Sequence, residues 1–80
     1  MVGYIEKYKE WVKTIQNLML EVGYREKDLS LAYNYRGCYY YDNPPDPKII
    51  LDRIVRKFGY GTIPDANVES YLRKNRLNVA

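Results

Sequence analysis

The sequence predicts a small α+β domain, in which a long N-terminal helix packs on a tyrosine-rich β-hairpin and two C-terminal helices follow. Three observations predict it: a helical apolar period in residues 4–22, a strand-like alternation in residues 28–42, and two helical segments after a proline-rich connector. The alternative class is all-α. A chain of 80 residues has room for one hydrophobic core, so we expect a single domain over residues 1–80.

The N-terminal helix is predicted by apolar residues that recur every three or four positions. They are Ile5, Tyr8, Val12, Ile15, Met19 and Val22, with a second row at Tyr4, Trp11 and Leu18 beside them. Gly23 stands where a C-terminal cap belongs. The same repeat suits a coiled-coil seam, but it covers fewer than three heptads, so we favour a core helix.

The next segment, residues 28–42, changes period. Leu29, Leu31, Tyr33 and Tyr35 alternate with Ser30, Ala32 and Asn34, as in a half-buried strand. Arg36 and Gly37 suit a turn, and residues 38–41 are rich in strand-favouring aromatics. We therefore expect a β-hairpin that lies on the first helix. The alternative is a second helix over residues 26–35, followed by an irregular tyrosine-rich loop.

Two C-terminal helices are predicted after the connector formed by residues 43–47. Asp46 is expected to cap the first of them, with Pro47 at its first position. This helix, residues 47–58, should bury Ile50, Leu51, Ile54, Val55 and Phe58 and end at Gly59. Thr62 is expected to cap the last helix, which should bury Val68, Tyr71 and Leu72 and end near Asn75.

The composition argues against an enzyme, a metal site and a bound cofactor. The chain has no histidine and a single cysteine, Cys38, so an internal disulfide and the usual zinc sites are excluded. The commonest general base is absent, and no glycine-rich phosphate loop occurs. We interpret Cys38 as a small packing residue and expect no catalytic residues.

The charge and hydropathy patterns indicate a cytosolic protein that does not contact membranes. No apolar run approaches the roughly 20 residues of a membrane helix, and the N-terminus does not resemble a signal peptide. The net charge of +3 comes entirely from residues 36–80, which hold eight bases and five acids. Residues 1–35 hold five of each.

A cluster of tyrosines supplies the first functional hypothesis. Tyr33, Tyr35, Tyr39, Tyr40 and Tyr41 fall within nine residues, and strand alternation would place some of them in solvent. Such a surface is typical of a protein interface, with a partner protein or a second copy as the occupant. Stacking on single-stranded nucleic acid beside Arg36 and ordinary strand filling are the alternatives. We favour an accessory or regulatory protein: a subunit, adaptor or inhibitor that binds a larger assembly.

The second hypothesis is a nucleic-acid-binding regulator with a helix-turn-helix-like region over residues 51–75. The last helix offers polar and basic side chains to a groove, namely Asn67, Ser70, Arg73, Lys74 and Arg76. Two acids, Asp65 and Glu69, lie on the same helix, and the turn is longer than the usual tight one.

Overall fold

Four helical elements follow one another within residues 2–79, the part of the chain whose backbone is described: α1 (Val2–Val22), a 3-10 segment (Glu26–Cys38), α2 (Pro47–Phe58) and α3 (Asp65–Val79). The structure is a computed structural model that describes the backbone of residues 2–79 and the side chains of residue 3 and residues 5–75. The described residues contain no β-strand. The predicted α+β class is therefore wrong, and the protein is all-helical.

The predicted hairpin is replaced by the 3-10 segment, and the reason is the spacing of the side chains that pack against the core, of which Ala32 is buried and the others are half-buried. Leu29, Ala32, Tyr35 and Cys38 recur every third residue, which is the period of a 3-10 helix. Ala32 is completely buried, whereas Tyr33, which the strand alternation assigned to the apolar side, is 51% exposed. The alternation was coincidental, because half of the tyrosines that produced it point into solvent.

Helix α1 lies at the centre of the molecule and packs against the 3-10 segment, α2 and α3. Its buried side chains are Trp11, Val12, Ile15 and Met19, as its apolar period predicts. Leu18 is half-buried, and Ile5 is exposed although it belongs to the same apolar row as Val12 and Ile15. The first turns of α1 therefore carry apolar surface that the core does not cover.

The end of α1 is a Schellman motif built on Gly23, which confirms the predicted cap. The Gly23 amide donates to the Leu20 carbonyl over 3.1 Å, and the Tyr24 amide donates to the Met19 carbonyl over 3.0 Å. Gly23 has φ +123°, in the region that favours glycine. Tyr24 and Met19 are both buried, which supplies the apolar contact typical of this motif.

Helix α2 begins as predicted, with the Asp46 carboxylate accepting from the Lys48 amide over 2.9 Å and Pro47 in the first turn. Its predicted core residues Ile50, Leu51, Ile54 and Val55 are buried, and Phe58 is half-buried.

The turn between α2 and α3 differs from the prediction at Thr62. The Thr62 hydroxyl bonds back to the Phe58 and Gly59 carbonyls, so it closes the end of α2 and does not cap α3. In the first turn of α3, the amides of Asn67 and Val68 both donate to the Pro64 carbonyl.

Candidate protein-binding site

Three aromatic side chains from separate parts of the sequence meet near the start of α1. Tyr8 and Trp11 lie one turn apart on α1, with ring centroids separated by 6.2 Å. The Tyr39 ring, just after the 3-10 segment, meets each of them edge-on at 5.3 Å. Edge-to-face contacts of this kind are favourable and directional, so the three rings hold one another in position.

The indole of Trp11 also binds the proline-rich connector. Its Nε1–H donates to the Pro45 carbonyl over 2.7 Å, across 34 residues of sequence. Trp11 is 6% exposed, and this bond satisfies the single polar atom of its side chain. The connector is thereby fixed beside the aromatic cluster.

An open groove runs along the outer side of this cluster, and we refer to it as the aromatic groove. It is lined by Ile5, Tyr8, Arg36, Tyr39 and Tyr41 and has a volume of about 340 Å³. Ile5 is 51% exposed and Tyr41 is 54% exposed. An apolar, aromatic-lined concavity with few polar groups is the usual form of a binding site.

Arg36 is the charged residue among the described side chains that line the aromatic groove. Its side chain is exposed, and no carboxylate of the described residues lies within ion-pair distance of its guanidinium. The guanidinium is thus available to an incoming group, either as a donor fork or as a plane for stacking.

The five tyrosines predicted as the docking surface divide into three groups. Tyr39 and Tyr41 line the aromatic groove. Tyr33 and Tyr40 are 51% and 65% exposed and do not line it. Tyr35 is half-buried, and burial is the main cause that raises the pKa of its hydroxyl.

The thiol of Cys38 lies beside a basic side chain. Arg53 Nη1 donates to Cys38 Sγ over 3.7 Å, and the cysteine is half-buried at the last position of the 3-10 segment. Its place in the every-third-residue row agrees with its interpretation as a packing residue.

The predicted nucleic-acid contacts on α3 are divided between two clefts. Asn67, Ser70 and Lys74 line a cleft that also contains Glu21, whereas Arg73 lines a different cleft with Glu69. The side chain of Arg76 lies outside the described residues. Each of the two clefts therefore presents an acid beside its base, which disfavours a continuous phosphate-binding face.

Asn67, which lines the first of these clefts, also has a structural partner. Its Nδ2 donates to the Val22 carbonyl over 2.8 Å, at the end of α1. A Cβ at Gly23 would collide with the same amide, so glycine also permits this close approach of the two elements. The Asn67 side chain is thus engaged within the fold.

Sequence reasoning missed the contribution of α1 to the groove. Ile5 and Tyr8 were both assigned to a core-facing stripe, but they form one wall of the groove. The sequence signal is the width of the apolar face of α1, because its two rows together are wider than a core of this size covers, but the period does not show which residues stay uncovered.

None of the helices in the described part of the chain combines the length and the apolar character needed to cross a membrane. Within residues 2–79, no cluster of three or more histidine, cysteine or acidic side chains has the arrangement of a metal site. Comparison with protein-family models, with curated proteins and with solved structures gives no match.

Proposed function

We propose that this chain is a small, non-enzymatic accessory protein of the cytosol that docks on a larger protein assembly through the aromatic groove. The observation that carries the proposal is the preorganised set of rings, in which Tyr39 is fixed by edge-on contacts with Tyr8 and Trp11. The single free cysteine suits a reducing compartment. A subunit, an adaptor and an inhibitor all use a surface of this kind.

The residue types of the groove are those that carry binding energy in protein interfaces. Tyrosine and arginine are enriched among the few interface residues that dominate affinity. A tyrosine presents a large area and loses little rotamer freedom when it is covered. Because the Tyr8 and Tyr39 rings already pack together, binding would not have to order them first.

A comparative capture experiment tests this function with two matched variants. Tyr41 lines the groove, whereas Tyr60 lies in the turn between α2 and α3, and their exposed fractions are 54% and 57%. Tyr41→Ala and Tyr60→Ala therefore remove the same group from equally exposed positions. The parent protein and both variants are immobilised, exposed to native lysate with and without nuclease treatment, and compared by quantitative mass spectrometry.

We expect at least one protein to be retained by the parent and by Tyr60→Ala, and to be depleted about 10-fold or more by Tyr41→Ala. Truncation of a tyrosine at the centre of an interface costs about 2 kcal/mol or more, which is roughly 30-fold in affinity. Equal retention of every captured protein by all three forms would show that the groove is not the docking surface. Retention that disappears with nuclease treatment would favour nucleic acid instead.

A further inference from the structure

We infer that the aromatic groove takes an extended, proline-rich segment of a partner protein, with a carboxylate beside the prolines. This inference rests on the proposed function, since it names the chemical class of the partner. Three features of the structure support it: the contact that the chain makes with its own prolines, the aromatic walls of the groove, and the unpaired charge of Arg36.

The first support is an internal example of the recognition chemistry. Trp11 donates to the carbonyl of Pro45 within a Pro-Pro-Asp-Pro stretch, residues 44–47. The backbone of Asp46 in that stretch has φ −59° and ψ +129°, close to polyproline II values. A proline-rich strand of this kind leaves its carbonyls unpaired, so an indole or phenol donor at an aromatic surface can bind them.

The second support is that the groove continues the same aromatic surface. Tyr39 contacts Trp11 on one side and lines the groove on the other, where Tyr8 and Tyr41 also present their rings. Flat aromatic walls suit proline rings, and the hydroxyls of Tyr8 and Tyr39 supply donors for the carbonyls between them. Because a proline-rich segment is already extended, it loses little conformational entropy when it binds.

The third support concerns charge, and it specifies the residue next to the prolines. Among the described residues that line the groove, Arg36 is the charged one, and no described carboxylate pairs with it. A guanidinium in that position matches a carboxylate in a fork-to-fork geometry. A nucleic-acid strand, with one phosphate on every nucleotide, would call for several cations along the groove.

Labelled synthetic peptides provide the test, with the full 80-residue chain as the receptor and fluorescence anisotropy as the readout. The first probe is a short polyproline peptide that ends in glutamate. The second replaces the glutamate with glutamine, and the third keeps the glutamate but replaces the prolines with glycine and serine. The receptor is the parent protein, Arg36→Gln, Tyr41→Ala or Tyr60→Ala.

We expect the acidic polyproline peptide to bind the parent, and its glutamine form to bind about 2- to 5-fold more weakly, as for an exposed ion pair. Arg36→Gln should abolish that preference, because the variant receptor has no guanidinium with which the glutamate of the peptide could pair. Tyr41→Ala should weaken both proline peptides about 10-fold or more, and Tyr60→Ala should change neither.

Failure of both proline peptides to bind, or equal binding of the glycine-serine peptide, would overturn the inference. If lysate proteins still depended on Tyr41 in that case, the proposed function would stand with a partner of another class. If the proline peptides did not bind and no lysate protein depended on Tyr41, the proposed function would be wrong as well. Sedimentation of the free protein tests whether a second copy of the chain occupies the groove. A dimer that Tyr41→Ala dissociates would assign the groove to that second copy and overturn the inference.

Discussion

Asn67 shows how a single polar side chain on an exposed-looking helix acquires a structural role. Its amide closes the end of α1 by donating to the Val22 carbonyl, one of the last carbonyls that an α-helix leaves without an internal partner. The helix period of α3 marks Asn67 as half-exposed, which is why the sequence favours an interaction with an external ligand. The partner lies 45 residues away in the sequence, so local pattern could not identify it.

Replacement of Asn67 tests this role. Asn67→Ala leaves the Val22 carbonyl without its donor, and we expect the free energy of unfolding to fall by about 1 kcal/mol. Asn67→Asp should cost more, because a carboxylate would face a carbonyl at the negative end of the α1 dipole. Ser70→Ala, an exposed change on the same helix, should stay within about 0.5 kcal/mol of the parent in urea titrations. If Asn67→Ala is as stable as Ser70→Ala, the hydrogen bond does not contribute.

The 3-10 segment shows where element prediction succeeded and where it did not. The caps of α1 and α2 were predictable because each depends on residues within one turn of the helix end, as with Gly23 and Asp46. The 3-10 segment was not, because its apolar residues satisfy two periods at once. Contacts with α1 decide between them: Gln16 Nε2 donates to the Leu29 carbonyl over 3.1 Å, and Ala32 is fully buried.

A pair of substitutions distinguishes the two periods. In a hairpin Ser30 and Ala32 would share one face, so their replacement by leucine would have similar effects. In the 3-10 segment Ala32 is buried and Ser30 is exposed. Ala32→Leu should therefore destabilise the protein by about 1–3 kcal/mol through overpacking, and Ser30→Leu by less than about 0.5 kcal/mol. Similar losses for both, measured by thermal or urea unfolding, would contradict the every-third-residue packing.

At the scale of the whole molecule, α1 joins the aromatic groove to the last helix, α3. Its first turns supply Ile5 and Tyr8 to the aromatic groove, and its last turn receives Asn67 from α3. From composition alone, the sequence predicts a binding surface formed by the tyrosines, and it places Arg36 beside them. It could not show which of them meet α1, because that depends on how the chain turns back after the 3-10 segment.

Two tyrosine hydroxyls link neighbouring segments to α2, and we expect them to make the stability of the fold depend on pH in the alkaline range. The Tyr24 hydroxyl, just after α1, donates to the Ile54 carbonyl over 3.3 Å, and the Tyr71 hydroxyl of α3 donates to Asp52 Oδ1 over 3.4 Å. Burial is the main cause that raises the pKa of both, and the pKa of Tyr71 reaches about 12, helped by the nearby Asp52 carboxylate. Each hydroxyl therefore stays neutral in the folded state at a pH where an unfolded tyrosine ionises.

The sign of the effect follows from proton linkage, and Tyr71→Phe isolates one group. An unfolded tyrosine releases its proton near pH 10, whereas folded Tyr71 keeps its proton until about pH 12, so rising pH favours the unfolded state between these values. The stability that neutral Tyr71 contributes is complete below pH 10 and is lost as the pH rises towards 12. Tyr71→Phe cannot ionise, and its stability should fall less over this window, by up to about 1 kcal/mol near pH 11 after solvent screening is allowed for.

Urea titrations at several values between pH 8 and pH 11 measure this difference, with Tyr60→Phe as the control. The Tyr60 side chain is 57% exposed, and its replacement leaves the contact between the Tyr71 hydroxyl and Asp52 in place. The control should therefore lose stability in parallel with the parent protein. If the curve of Tyr71→Phe also runs parallel to that of the parent, Tyr71 ionises alike in both states. The contact between α3 and Asp52 would then not hold the phenol away from water.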